Sequence, residues 1–312
     1  MINIKSKTNL NGFTLIELIM VITLMSILAV VITPILSRPF ANYQTQYARQ
    51  ELVHLAQSSA DKISQELKQA LPNSIRISAD GSTLEFILIE QGGRYRSSII
   101  ASDNTALTAS QADSQFTVLG EFGSYNNDNV RLSLFNTNAT QLYNQIVLST
   151  DQTTVTAANN NIQVSPLAVT ACSDDCSQTA NTAPITSVTL QRAHQFDSQG
   201  FGSPRNRIFL FSTGVIYQCG LDTAAADGSL NIVRYQNYDF ASDQIDLDTR
   251  TEIEASTNES SSILSQTLSD CEFSYTQGNS TRSGVIEISI TMENSIAGTI
   301  TLLKQVLVQN AP

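Results

Sequence analysis

Residues 11–36 read NGFTLIELIMVITLMSILAVVITPIL, and Glu17 is the one charged residue in the stretch. From Phe13 to Leu36 the run is 24 residues long. As a helix it rises about 36 Å, enough to cross a bilayer core of about 30 Å. Lys5 and Lys7 precede it and nothing acidic does, which predicts a cytoplasmic N-terminus with the body on the far side. A cleaved secretory signal fits poorly. Its apolar region is about 7–15 residues long and closes on an A-x-A-like site, whereas this run is longer and has no such site near its end. A plain signal anchor explains the length but not Glu17. A charge deep in lipid costs about 2.5–3.5 kcal/mol on insertion scales, less near the end of a span. A carboxylate in an apolar layer becomes tolerable when a cation meets it there.

Gly12-Phe13-Thr14-Leu15-Ile16-Glu17, followed by the long apolar run, resembles the cleavage motif of type IV prepilins and pseudopilins. The resemblance implies that a prepilin peptidase cuts between Gly12 and Phe13 and that Phe13 is methylated on its new amino terminus. Glu17 then becomes the fifth residue of the mature chain and Pro34 the twenty-second, where this family carries glutamate and often proline. It also implies that Glu17 pairs with the amino terminus of a neighbouring subunit, an α-amine being largely cationic near neutral pH. The charge would then set depth and register, as a buried polar residue does in a coiled coil. Three further stretches are similar to the MshO-type minor pilins of the mannose-sensitive haemagglutinin (MSHA) pilus: QALPNSIR (69–76), RIFLFSTGVIYQC (207–219) and LLKQVLVQNAP (302–312). Residues 100–190 lie outside that resemblance.

What the resemblance implies is a structural subunit that initiates or caps assembly of a type IV pilus. Its fold would be α+β, with a long N-terminal helix packed on an antiparallel β-sheet. Its partners would be other minor pilins and the major pilin, the prepilin peptidase, and an inner-membrane assembly platform with its cytoplasmic ATPase. The chain would cross the inner membrane once with a periplasmic body, and reach the pilus and cell surface after assembly. A minor pseudopilin of a type II secretion system shares the anchor, and a pilus-tip adhesin is the alternative of another class.

Outward from the motif, the chain divides into a leader (1–12), a transmembrane or filament-core helix (13–38), an amphipathic helix (39–72) and a β-rich extracytoplasmic body (73–312). Pro34 and Pro39 each remove a backbone donor, so a kink or loosened segment is expected there. Beyond them Leu52, Ala56, Ala60, Ile63, Leu67 and Leu71 recur at three- and four-residue steps as one apolar stripe, stopped by Leu71-Pro72-Asn73. The pattern then changes to period two. Strands are expected over 83–90, 129–135, 207–217, 285–292 and 299–309, the last two as a hairpin through 293–298. Residues 125–128 read as a polar loop, and 151–185, poorly patterned, as an elaborated one.

Of the 312 residues, 14% are charged against about 25% in an ordinary soluble domain, while 41% are hydrophobic, enough for a core. The net charge of −11 becomes −13 if Lys5 and Lys7 leave with the leader. Such an acidic chain argues against nucleic acid, whose phosphates need clustered Lys and Arg. The four cysteines, Cys172, Cys176, Cys219 and Cys271, all fall on the expected outer side. An even count there suggests two disulfides, Cys172–Cys176 and Cys219–Cys271 being the favoured pairing of three. A zinc site would need a second close pair. Asp239, Asp243, Asp246 and Asp248, or Asp222 and Asp227, match no defined calcium loop. His54 reads as a solvated or half-buried helix residue and His194 as a surface residue. Neither a G-x-S-x-G elbow nor a Gly-rich phosphate loop is present. The expectation is therefore a protein that is not an enzyme and uses neither cofactor nor metal. Asn138, Asn258 and Asn279 stand in glycosylation sequons that matter only in a glycosylating host.

Overall fold

One helix, α1, runs from Leu15 to Leu67 over 53 residues, about 80 Å at 1.5 Å per residue. The computed structural model describes residues 13–97, 106–119, 125–127, 129–148, 154–160, 162–167, 185–196, 202–221, 228–256, 259–278 and 282–308. The helical assignment continues without a break through Pro34 and Pro39. The expected interruption is thus confined to the two donors that proline lacks, because the residues on either side keep helical backbone.

The chain forms two compact units, and α1 contributes to both. The first holds the helix through Leu52 together with residues 294–298. Within it Arg49 Nε donates to the Ala297 carbonyl at 2.9 Å. The second holds the helix from Val53 and nearly all of the strands. The apolar stripe is buried at every expected position, from Leu52 to Leu71. The helix stops four residues before Leu71, because Leu71 leaves it to donate to Ile87 in the sheet at 2.8 Å.

Among the described residues the body contains fourteen strands in two seven-stranded sheets. The first sheet uses β1 (Arg76–Ile77), β2 (Thr83–Ile87), β10 (Gly214–Leu221), β11 (Leu230–Gln236), β12 (Ser260–Thr276), β13 (Gly284–Asn294) and β14 (Gly298–Val308), in that spatial order. The second has the order β5-β7-β8-β4-β3-β9-β6, built from β3 (Gln91–Tyr95), β4 (Asp113–Leu119), β5 (Tyr125–Asn127), β6 (Arg131–Ser133), β7 (Ile162–Leu167), β8 (Ile185–His194) and β9 (Arg207–Phe211). The registers are antiparallel. All strands of the second sheet lie in sequence between β2 and β10, which are hydrogen-bonded neighbours in the first. The second sheet is therefore an insertion between two adjacent strands of the first.

The two crossing points lie side by side: Glu90 N–H donates to Leu210 O at 2.9 Å, and the Ser212 hydroxyl donates to the Glu90 carboxylate. The expected single strand over 207–217 is consequently two strands in different sheets, divided at Ser212-Thr213. The expected loop at 125–128 contributes β5, and 151–185 contributes β7. In β7, Ile162 and Val164 point into the core while Gln163 is exposed, and pairing on β8 completes the strand.

Both faces of the first sheet are covered at β2 and β10, so β2 is buried at all five positions rather than alternating. The second half of α1 covers one face. On the other lie α2 (Ala139–Val147), a short 3₁₀ turn (244–247) and α3 (Arg250–Glu254). Ile216, Val233 and Tyr235 pack there with Tyr238, Leu247 and Ile253. Leu142, Tyr143 and Ile146 of α2 pack with Leu71, Ile87 and Phe211, filling the seam between the sheets. Asn138 caps α2 through its side-chain oxygen, which accepts from Thr140 N–H at 2.8 Å.

Candidate functional site

The start of α1 is set by Thr14. Its carbonyl accepts from Glu17 N–H at 3.1 Å and Leu18 N–H at 3.2 Å, and its hydroxyl accepts from Glu17 N–H at 3.4 Å. Glu17 lies in the first turn, where the helix macrodipole favours a carboxylate. That local preference is worth about 0.3–1 kcal/mol, less than the insertion cost of a charge in lipid. Helix capping therefore does not by itself account for Glu17.

The side chains from Phe13 to Thr33 are exposed, and this part of α1 is long and apolar enough to cross a membrane. Its other polar atoms are satisfied within the helix. Thr23 Oγ1 donates to Met20 O at 2.9 Å, Ser26 Oγ to Ile22 O at 2.7 Å and Thr33 Oγ1 to Ala29 O at 2.6 Å. Such back-bonding lets hydroxyls sit in hydrocarbon. Glu17 is left as the charge for which the segment itself offers no cation.

Further along, α1 is tied to the first sheet by a polar cluster that sequence reasoning missed. Glu66 accepts from Tyr217 Oη at 2.7 Å and from Arg234 Nε at 3.0 and 3.1 Å, and Lys62 Nζ lies 3.0 Å away. Burial raises the Glu66 pKa, but the hydrogen bonds from Arg234, Tyr217 and Lys62 outweigh it and hold the carboxyl below its ordinary value. Asp61 pairs with Lys304 of β14. On the opposite face of the sheet Glu85 is fully buried, with Arg76 Nε at 2.5 Å and Tyr238 Oη donating at 2.8 Å. Arg76 also donates to the carbonyls of Ser242 and Ala241, at 3.1 and 2.9 Å, and its guanidinium lies 3.6 Å from the Tyr143 ring centre.

Cys219 on β10 and Cys271 on β12 form a disulfide, their Cα atoms 6.3 Å apart. The pairing of β12 with β11 ends at Leu268, so Cys271 lies where β12 runs past β11. Two backbone bonds fasten this corner: Cys219 N–H to Ser82 O and Phe273 N–H to Gly81 O, both at 2.8 Å. Gly81 has φ 75°, and an added Cβ would lie 3.0 Å from the Phe273 carbonyl.

Of the remaining expected residues, Gly12, Cys172, Cys176, Asp222, Asp227, Asn258 and Asn279 lie outside the described residues, as do the side chains of Pro34 and Asp246. His54 is exposed on α1. His194 is buried rather than on the surface, because it ends β8 with its ring 4.3 Å from that of Phe196. Among the described residues no three His, Cys, Asp or Glu side chains converge as a metal site. The expected acidic stretch 237–248 instead supplies Tyr238, Phe240 and Leu247 to the cover of the first sheet.

A family model described as the prokaryotic N-terminal methylation motif matches residues 8–33. The match spans Gly12, Phe13 and Glu17 and runs through the exposed apolar part of α1. The chain therefore carries a type IV prepilin-like N-terminus. Motif and helix together support a pilin or pseudopilin that is processed by prepilin peptidase and anchored through that helix. No curated protein and no solved structure matches the chain.

Proposed function

We propose that the protein is a minor pilin, a structural subunit that starts or caps a type IV pilus of the MSHA kind. Its role is assembly, without catalysis, and its partners are the major pilin, other minor pilins and the inner-membrane platform. The observation that carries this reading is one carboxylate, Glu17, in an exposed apolar helix under a methylation motif, with the helix's other polar atoms already satisfied. After cleavage, the cation that meets Glu17 is the methylated amine of Phe13 on a neighbouring subunit. The inserted sheet supports a low-copy position. A second seven-stranded layer on every subunit is bulk that each neighbour in a long helical stack would have to accommodate.

The test is complementation of a deletion strain with Glu17→Ala and Glu17→Gln, scoring pilus number alongside protein level and cleavage state. Glu17→Gln keeps size and polarity and removes the charge. Glu17→Ala makes the helix more apolar, so insertion survives or improves. Both variants are expected to be cleaved and present at normal level but to lose normal piliation. Wild-type piliation by Glu17→Ala at normal expression would sink the register role of this charge.

A further inference from the structure

At the seam of the two sheets lies an open cleft of about 750 Å³, within the range of small-molecule sites. One wall carries Arg131 of β6 and the end of α2, and the other carries Asn237, Asp239 and Phe240. Arg131 is half-buried. A guanidinium has five N–H donors, and among the described residues this one makes a single hydrogen bond, Nη1 to Ile146 O at 3.0 Å near the C-terminal end of α2. Burial pushes its pKa below the ordinary value. Two other half-buried arginines of the body are treated differently: Arg76 meets Glu85 and Arg234 meets Glu66. Holding the end of α2 uses one of the five donors and only the partial charge of a helix terminus. A cation withdrawn from water without a counter-charge is destabilising, and an incoming anion would offset that cost.

The rest of the cleft says what kind of anion fits. Asn129 and Asn237 line it as exposed side chains, with amides that can both donate and accept. Phe240 offers an apolar ring, and Asp239 a carboxylate that accepts from hydroxyls and repels a second negative group. We propose that this cleft binds a small polyhydroxylated acid of the uronic acid type, its carboxylate on Arg131 and its hydroxyls on Asn129, Asn237 and Asp239. The Arg131 fork suits a carboxylate bidentately. The site is separate from Glu17 and independent of the assembly role.

The test uses the full chain in detergent, titrated with sodium glucuronate, glucose, sodium acetate and inorganic phosphate, and read by saturation-transfer NMR and by the shift in thermal unfolding. Glucuronate is expected to bind saturably and more tightly than the other three. Arg131→Gln is expected to weaken it by about tenfold or more, the scale of a charge-assisted pair. Arg131→Lys, which keeps the charge and loses the fork, should weaken it less. Arg131 also holds the end of α2, so Asn129→Leu, at an exposed position, supplies a second variant that keeps the fold and is expected to weaken glucuronate but not acetate. Equal binding of glucose and glucuronate would overturn the proposal, as would phosphate binding as tightly as glucuronate, no saturable binding, or glucuronate binding unchanged in Asn129→Leu.

Discussion

Three glutamates illustrate what a carboxylate does in three surroundings. Glu17 is exposed on an apolar helix, and its cation has to come from another chain in the proposed assembly. Glu66 is paired within the fold by Arg234 and Tyr217. Glu85 is fully buried, and burial pushes its carboxyl up against the opposing pull of Arg76 and Tyr238. These placements have opposite consequences in acid. Glu66 has a folded pKa below its unfolded value, so its contribution is present above about pH 4.5 and is lost as pH falls through the folded value. Glu85 has a raised folded pKa, so protonating it on the way down relieves burial of its charge. Glu66→Gln is therefore expected to destabilise the body by about 2–3 kcal/mol at neutral pH, because Arg234 loses its counter-charge. It should also flatten the fall of stability below about pH 4.5, as read by urea unfolding across pH. An unchanged acid limb in Glu66→Gln would mean that another group carries it. The sequence made Glu17 legible because its surroundings are local. It did not show the pairing of Glu66 with Arg234, which is 168 residues away.

At the scale of elements, the place where the chain passes between sheets is the most constrained. Gly214 opens β10 just after the crossing, and an added Cβ there would run into the Tyr238 hydroxyl and lie 2.9 Å from the Phe240 ring. Gly214→Ala is expected to move Tyr238 off Glu85 and to lower stability by about 1–3 kcal/mol, the usual range for overpacking. A thermal or urea midpoint equal to wild type would show that the seam has slack. This crossing was hidden in the sequence. RIFLFSTGVIY reads as one apolar strand interrupted only by Ser212-Thr213-Gly214, and the change of sheet depends on partners at 83–95 and 131–133 that periodicity does not report. The stripe of α1 and the β13–β14 hairpin were legible, because their signals are short-range and periodic. The 17-residue β12 was not. Most of its residues are exposed or polar, and pairing with β11 and β13, rather than apolar pattern, makes it a strand.

At the scale of the whole molecule, the account is of an anchor that assembles and a body that folds without it. Residues 40–312 are expected to fold as a soluble αβ domain when the apolar segment is removed. Thiol titration of that material from the periplasm, under denaturation, should find no free thiol among the four cysteines. Four reactive thiols would refute both bridges. The Cys219–Cys271 bridge closes a separation of 52 residues, for which chain-entropy arguments give about 4 kcal/mol, so reduction should lower the unfolding midpoint markedly. The fold class was legible from the switch of period after residue 72, but the second sheet was not, since an insertion between paired strands leaves no periodic mark of its own. The central claim is that the methylation motif is used. Intact-mass and N-terminal fragment spectrometry of the mature protein from its own host tests it most directly. The account predicts a chain beginning at N-methylated Phe13, with residues 1–12 gone. A chain that keeps Met1, or one that begins near Pro34 as a signal-peptide product would, contradicts it.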